Sequence, residues 1–171
     1  MTIDEFLRSQ ERFDIQVPPE TDPFLNEGAL DEAYVLDIRF DALRSRAWIL
    51  FDCRGALQVV TGNTAVLVVN EVQSFSWINY EALKPRQQRS ILTWRPSSVD
   101  GDWTLRVGFA PSSVLLIAGS GGEFFVGDIP GGDEPPPNFM TATEEEMRAG
   151  LAGWSSEFRP INAAFRDFKN L

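Results

Sequence analysis

The chain has 171 residues and carries 25 acidic side chains against 15 basic ones, a net charge of −10, with 43% hydrophobic residues. This length and composition are typical of one globular domain, and the acidic balance argues against nucleic-acid binding as the main role, because phosphate contacts call for a basic surface. The sequence has no His and only one cysteine, Cys53, which excludes Ser-His-Asp and Cys-His catalysis, a Cys/His zinc site and an internal disulfide.

Location is predicted from three features of the sequence. Apolar runs such as Val114 to Ala118 are far shorter than the roughly 20 residues that a membrane-spanning helix requires. Residues 1–5 lack the basic and apolar regions of a secretory signal, and a lone cysteine is ordinary in a reducing compartment. We therefore expect a cytoplasmic protein without membrane association, and the sequence predicts no cofactor.

The charge is unevenly distributed along the chain. Residues 1–33 hold nine acidic and two basic side chains, residues 34–128 hold nine of each, and residues 129–171 hold seven acidic and four basic ones. The ends thus carry net charges of −7 and −3 around a neutral middle. Within a single domain we expect an acidic N-terminal helix and connector (1–33), an antiparallel β core (34–128), and a Pro-rich loop with C-terminal helices that dock on the core (129–171).

The N-terminal segment begins with a helix signal. Thr2 is followed three residues later by Glu5, which is the capping-box spacing, so a helix over about residues 3–12 is predicted. Pro18, Pro19 and Pro23 cannot continue a helix, and they predict an extended connector that tethers the helix to the core.

From Tyr34 the apolar pattern acquires a period of two. Tyr34, Leu36, Ile38 and Phe40 alternate with polar residues, which predicts a half-buried strand, whereas the segment 47–51 is apolar on both faces and predicts a strand covered on both sides. Further strands are predicted over the segments 64–69, 72–78, 89–95, 102–109, 113–118 and 123–128.

Turn signals separate these strands at short intervals. Tight turns are predicted at Thr61-Gly62-Asn63, Asp100-Gly101-Asp102, Ala110-Pro111-Ser112 and Gly119-Ser120-Gly121-Gly122. The second and the fourth of these are interpreted as hairpin turns. About eight strands in this length leave no room for crossover helices, so the fold class is mainly β (α+β), an antiparallel sandwich or partly open barrel. A glycine-rich phosphate loop at Gly119–Gly122 is disfavoured, because a strand and not a helix is predicted to follow it.

Two helices are predicted near the C-terminus. Thr143 and Glu146 repeat the capping-box spacing and open a helix through about Leu151. A last helical turn or two is predicted from Asn162 to Phe168, with its apolar stripe docked on the sheet.

Three carboxylates form the first candidate site. Asp37, Asp41 and Asp52 would meet if the first two strands pair as a hairpin, and converging carboxylates could hold a cation or act as an acid and base. Arg39 and Arg54 lie close by in sequence, so cross-strand ion pairs are the simpler interpretation. No catalytic residue and no metal site is assigned.

The tryptophans supply the second candidate site. Trp48 and Trp103 are assigned to the core, whereas exposed Trp77 and Trp94 would form an aromatic and basic patch together with Lys84, Arg86 and Arg89. Burial of Trp77 and Trp94 in the core is the alternative. Trp154 either fills the end of the sheet or anchors a partner.

In size, charge and β-hairpin pattern the chain resembles bacterial immunity or antitoxin-type proteins, and also uncharacterised small acidic bacterial proteins. The first group are small acidic single domains that bind and block a toxic partner. The acidic flanks around a neutral middle, together with this resemblance, predict a non-enzymatic protein-binding module that docks on a basic protein, with complementary charge accelerating the encounter.

Two further functions and one assembly stay open. The alternative function is a β-sandwich or barrel that binds a small molecule or sugar in an aromatic-lined pocket, and an enzyme built on clustered carboxylates comes third. Unpaired strand edges also invite association into a homodimer.

Overall fold

The computed structural model describes residues 1–82 and 87–171, and its regular elements are mostly strands. Two short α-helices and two 3₁₀ segments lie near the ends of the chain. The elements are α1 (Ile3–Arg8), a 3₁₀ segment (Gln10–Asp14), β1 (Tyr34–Asp41), β2 (Arg46–Asp52), β3 (Thr64–Asn70), β4 (Ser74–Asn79), β5 (Ser90–Val99), β6 (Asp102–Ala110), β7 (Ser113–Gly119), β8 (Gly121–Asp128), α2 (Glu144–Gly150), β9 (Arg159–Asp167) and a second 3₁₀ segment (Phe168–Asn170).

Across the described ranges the nine strands form one antiparallel sheet in the order β4-β7-β6-β5-β1-β2-β3-β8-β9. This confirms the predicted mainly β, antiparallel class with short helices at both ends. The sheet is open, and it has one strand more than the roughly eight predicted from the turn signals. Both capping boxes are present, at Thr2 with Glu5 and at Thr143 with Glu146. None of the described helices is both long and apolar enough to cross a membrane.

The sheet bends where β3 continues into β4 and β7 continues into β8. Asn70 of β3 pairs with Gly121 of β8, whereas Ser74 of β4 pairs with Ala118 of β7. Across the bend, the Ser120 amide donates to the carbonyl of Asn70 at 3.1 Å. The two strand pairs are thus successive halves of one bent antiparallel ribbon, which folds the sheet around an inner core.

The predicted hairpin at Gly119–Gly122 is therefore wrong, because β7 and β8 pair with different strands and not with each other. The glycines allow close packing at the bend, because they have no Cβ atom. A Cβ atom on Gly119 would lie 2.6 Å from Val69 Cγ1 and 2.7 Å from the Asn70 carbonyl oxygen. As predicted, a strand follows this segment, and the hairpin at Asp100-Gly101 joins β5 to β6.

The sheet is apolar on both faces in its central part. The inner face encloses the larger core, which includes Ile49, Phe51, Leu67, Trp94, Trp103, Leu105 and Phe124. The outer face of β2, β3, β8 and β9 carries a second core, in which α1 and the segment 152–158 cover Leu50, Val66, Val68 and Phe125. The prediction that the 47–51 strand is covered on both sides is confirmed.

Strand β1 departs from its predicted alternation at a β-bulge. The register with β2 shifts between Val35 and Asp37, and an extra residue in a strand moves the following side chains to the opposite face. Val35 and Ile38 consequently pack against the inner core, while Leu36 packs against the outer one.

The C-terminal segment predicted as a helix over Asn162–Phe168 is a strand, followed by a short 3₁₀ turn. Strand β8 would otherwise present an unpaired edge, and β9 supplies its missing hydrogen bonds. A helix of seven residues gains little by itself in water. Ala164 joins the inner core and Ala163 the outer core, which is the alternation of a strand.

The connector after the N-terminal helix is docked on the sheet, so the predicted tether is wrong. The indole of Trp94 donates to the Pro23 carbonyl at 2.8 Å, and that of Trp103 donates to the Phe24 carbonyl at 3.0 Å. Phe24 is buried and packs on Trp103. Two buried indole N–H groups need acceptors, and the connector backbone supplies them.

Candidate functional site: two grooves beside helix α1

Helix α1 is held on the outer face of the sheet by the segment 154–158. Thr2 and Glu157 form a β-bridge, and the amides of Ile3 and Asp4 donate to the carbonyls of Ser156 and Trp154 at 3.0 Å each. On its buried side the helix inserts Ile3 and Phe6 into the outer core. The helix thereby separates two grooves, one acidic and one basic.

The first groove, here called the acidic hollow, lies between Met1, Phe6 and the segments 128–133 and 157–160, and encloses about 650 Å³. Its charged side chains are Glu11, Asp128, Asp133, Glu157 and Arg159. Four carboxylates thus face one guanidinium. Within the described part of the chain, Glu11, Asp133 and Glu157 are exposed and have no ion-pair partner.

The second groove, here called the Arg–Trp groove, lies on the other side of α1, against the β1–β2 hairpin, and also encloses about 650 Å³. Its basic lining residues are Arg8, Arg12, Arg39, Arg44 and Arg46. Its acidic and aromatic ones are Asp4, Asp41, Trp48 and Trp154. Five guanidinium groups and two carboxylates therefore lie along one groove of a chain whose net charge is −10.

Three of the five arginines have carboxylate partners. Arg12 is buried, and its Nε lies 3.0 Å from Glu123 Oε2. Arg39 pairs with Asp4 at 2.9 Å and lies 4.5 Å above the ring of Trp154. These contacts hold the helix and the segment around Trp154 against the sheet.

The third pair lies at the turn of the β1–β2 hairpin, where Arg44 Nη1 is 2.8 Å from Asp41 Oδ2. The hydrogen bonds that Arg44 and the backbone donate to Asp41 hold the pKa of this carboxyl below its usual value. The side chain of Arg44 is 72% exposed, and such a pair contributes little to stability.

The other two arginines, Arg8 and Arg46, have no carboxylate partner among the residues that the structure describes. The guanidinium of Arg46 lies 5.9 Å from the ring centroid of Trp48, at the outer limit of cation–π contact. Their donors are available for an anion.

The three carboxylates predicted as a cluster have separate partners. Asp52 is buried and pairs with Arg54 at 2.5 Å, Asp41 pairs with Arg44, and Asp37 accepts a hydrogen bond from the Trp154 indole. No group of three metal-ligating side chains occurs within residues 1–82 and 87–171. The cross-strand ion-pair interpretation agrees only in part, because Asp52 and Asp41 pair with arginines two and three residues away in sequence and not across strands. Asp37 lies 4.0 Å from Arg39.

The predicted aromatic and basic patch is only partly assembled. Trp77 and Arg89 do line one hollow of about 500 Å³, together with Asp37 and Phe139. Trp94 is 1% exposed, so its assignment to a binding surface is wrong: it lies on the inner face and belongs to the core.

Two further residues of that patch, Lys84 and Arg86, lie outside the described residues. Trp154 is 6% exposed, packs in the outer core as the filling alternative predicts, and still presents part of its surface to the Arg–Trp groove.

Sequence reasoning missed Arg8, Arg46 and the outward position of Trp48. The hairpin register was the available signal, since it pairs Arg39 with Trp48 and Asp41 with Arg46 on one face. Arg8 comes from the last turn of α1, and only the docking of that helix brings it to the same groove.

The chemistry that these grooves offer is charge recognition. Guanidinium groups bind phosphate and carboxylate oxygens through paired N–H donors, and a carboxylate hollow suits ammonium and guanidinium groups. Comparison with protein-family models, with curated proteins and with solved structures found no match to this chain.

Proposed function

We propose that the protein is a non-enzymatic protein-binding module that docks on a basic protein partner through the acidic hollow. The observation that carries this proposal is the gathering of carboxylates from distant parts of the chain. Glu11 comes from the N-terminal flank, while Asp133 and Glu157 come from the C-terminal flank. The contacts between residues 1–4 and 154–158 bring the two flanks together.

Unpaired carboxylates around a hollow are suited to electrostatic steering. Complementary fields raise the rate at which oppositely charged proteins associate, and the effect falls as ionic strength rises. Glu11, Asp133 and Glu157 can pair with cationic side chains of a partner without first losing partners of their own. The resemblance to immunity and antitoxin-type proteins, which bind a toxic partner, supports the same role.

The non-enzymatic part of the proposal rests on the sequence. His is the commonest side chain for proton transfer near neutral pH, and the chain has none. The proposal includes a cytoplasmic location, where the reduced state of the lone Cys53 is ordinary.

The test is a capture experiment with charge-matched variants. The wild-type protein is compared with the triple variant Glu11→Gln, Asp133→Asn, Glu157→Gln. The control variant is Glu20→Gln, Glu81→Gln, Glu145→Gln, which removes the same three charges from exposed positions outside the hollow. Each immobilised protein is incubated with lysate of the source cells.

We expect the wild type and the control to recover the same basic protein and to release it as salt rises, whereas the hollow variant does not retain it. Equal recovery by the hollow variant, binding that salt does not weaken, or recovery of no basic protein at all would each overturn the proposal.

A further inference from the structure

We propose that the Arg–Trp groove is a second, separate binding site that accepts a nucleoside monophosphate, a small ligand in which one phosphate group is joined to a planar ring. The argument starts from a charge anomaly. The chain as a whole carries −10, yet five arginines and two aspartates line this groove. A surface that would repel most anions therefore contains one place that attracts them.

The groove has unused binding capacity for a phosphate group. Arg8 and Arg46 are without carboxylate partners in the described part of the chain, and Arg44 holds Asp41 through an exposed pair that a competing anion can replace. A phosphate monoester dianion offers three acceptor oxygens, and the donors of three guanidinium groups match them.

The remaining arginines build the groove and stay out of ligand binding. Arg12 is 8% exposed and is held by Glu123 and by the Ser9 carbonyl. Arg39 is held by Asp4 and by the ring of Trp154. Because these neighbouring side chains are already fixed, the arginines that bind the ligand lose less conformational entropy when it binds.

The aromatic lining indicates the planar part of the ligand. Trp48 is half-buried and lines the groove. The guanidinium of Arg46 lies 5.9 Å from the ring centroid of Trp48, so the indole is available for stacking. Purine and pyrimidine rings stack on tryptophan irrespective of their hydrogen-bonding edges.

Size and overall charge favour a single nucleotide over a nucleic acid strand. The volume of about 650 Å³ falls in the range of roughly 300–1,000 Å³ that small-ligand sites occupy. A longer polyanion would extend beyond the groove onto the rest of a chain whose net charge is −10, and charge repulsion would oppose its binding.

The test is a titration of the full chain, followed by tryptophan fluorescence and by calorimetry. The probes are adenosine monophosphate, adenosine, ribose 5-phosphate, inorganic phosphate and a ten-nucleotide single strand. We expect the monophosphate to bind with a sub-millimolar Kd, and each of the other four probes to bind about tenfold or more weakly. Adenosine, ribose phosphate and inorganic phosphate each lack part of the ligand, and the oligonucleotide is repelled by the net negative charge of the chain.

A pair of variants assigns the binding to the groove. The double variant Arg8→Gln, Arg46→Gln should weaken monophosphate binding about tenfold or more. The control Arg106→Gln, Arg148→Gln removes the same charge from exposed positions that line neither the groove nor the acidic hollow and should stay within about twofold. Thermal unfolding of each variant verifies that it is folded.

Three results would overturn the inference. These are the absence of monophosphate binding at 5 mM, equal weakening in the control variant, and an affinity for phosphate, adenosine, ribose phosphate or the oligonucleotide that equals that for the monophosphate. The titration contains no protein partner, so its failure is distinct from failure of the docking proposal.

Discussion

The indole N–H of Trp154 donates a hydrogen bond to the carboxylate of Asp37 at 2.5 Å, and this bond joins the C-terminal segment to strand β1. Arg39 lies over the same indole ring at 4.5 Å. A residue far along the chain thereby completes the wall of the Arg–Trp groove and occupies a carboxylate that could otherwise have been a catalytic candidate.

Replacing this indole tests its structural role. Trp154→Phe should lower the free energy of unfolding by about 1–3 kcal/mol, because the variant loses a hydrogen bond to a charged acceptor and some buried area. Urea unfolding measures the change. The control Trp77→Phe loses the more exposed bond to Asn79 and should cost less. An equal cost for both would show that the Asp37 bond adds nothing.

The ion pair of Arg54 and Asp52 is the most buried one within residues 1–82 and 87–171, with side-chain exposures of 10% and 2%. Arg54 also donates to the carbonyls of Glu134 at 2.8 Å and Gly150 at 2.7 Å, so it fastens the Pro-rich loop to the end of β2. Arg54→Met should cost about 3 kcal/mol, since it leaves a buried carboxylate without its partner.

The matched control for this variant is Arg95→Met, which removes an exposed ion pair with Glu27 at 3.5 Å. Surface pairs of this kind contribute about 0–1 kcal/mol. Urea unfolding measures the free energy of unfolding of both variants. A decrease in Arg54→Met no greater than that in Arg95→Met would contradict the prediction.

The thiol of Cys53 should be unreactive in the folded protein. It is 2% exposed, and burial, with a smaller effect of the Asp52 charge, raises its pKa well above the ordinary value. Because the thiolate is the reactive form, labelling by a thiol-specific disulfide reagent at pH 8 should be negligible in buffer. Labelling should become complete in denaturant, and rapid labelling without denaturant would refute the burial.

Asp31 should make the fold pH-dependent in an unusual direction. Burial and the neighbouring Glu32 charge raise its pKa, and its Oδ1 atom is buried without a hydrogen-bond partner among the described residues. A raised folded-state pKa means that the charged form costs stability above that pKa. The cost vanishes as the pH falls below the unfolded-state pKa.

The variant Asp31→Asn should therefore unfold at a higher urea concentration than the wild type at pH 7. The difference should shrink as the pH is lowered to about 3.5, where the wild-type carboxyl is mostly protonated in both states. A difference that stays constant between these pH values would rule out the carboxylate as its cause.

Local patterns predicted most of the strands, because alternation and turn residues act over a few neighbours. They failed where distant segments decide the structure. The β1 bulge depends on pairing with β2, and the 162–168 segment becomes a strand because β8 offers it an edge. Gly119–Gly122 has the composition of a hairpin, yet Gly119 is needed for the close approach of Val69 and Asn70, and Gly122 for that of Phe24 and Phe168.

For the candidate sites too, local sequence features were predictable and contacts between distant segments were not. Charge counts along the sequence indicated acidic ends, and the structure brings Glu11 and Glu157 to one hollow. The Arg–Trp groove could not be predicted, because Arg8 and Arg46 meet only when α1 docks beside the β1–β2 hairpin. Neither arginine belongs to a catalytic or aromatic sequence motif, so no local pattern marks it as a binding residue.

The most direct test of the central claim, that the acidic hollow receives a basic partner, is an NMR titration of the ¹⁵N-labelled full chain with a deca-lysine peptide as the probe. We predict saturable shifts of the backbone amides around Gly131, Asp133 and Glu157, and no shifts around Glu20 and Glu145. Shifts spread equally over all five positions, or centred on the last two, would contradict the account.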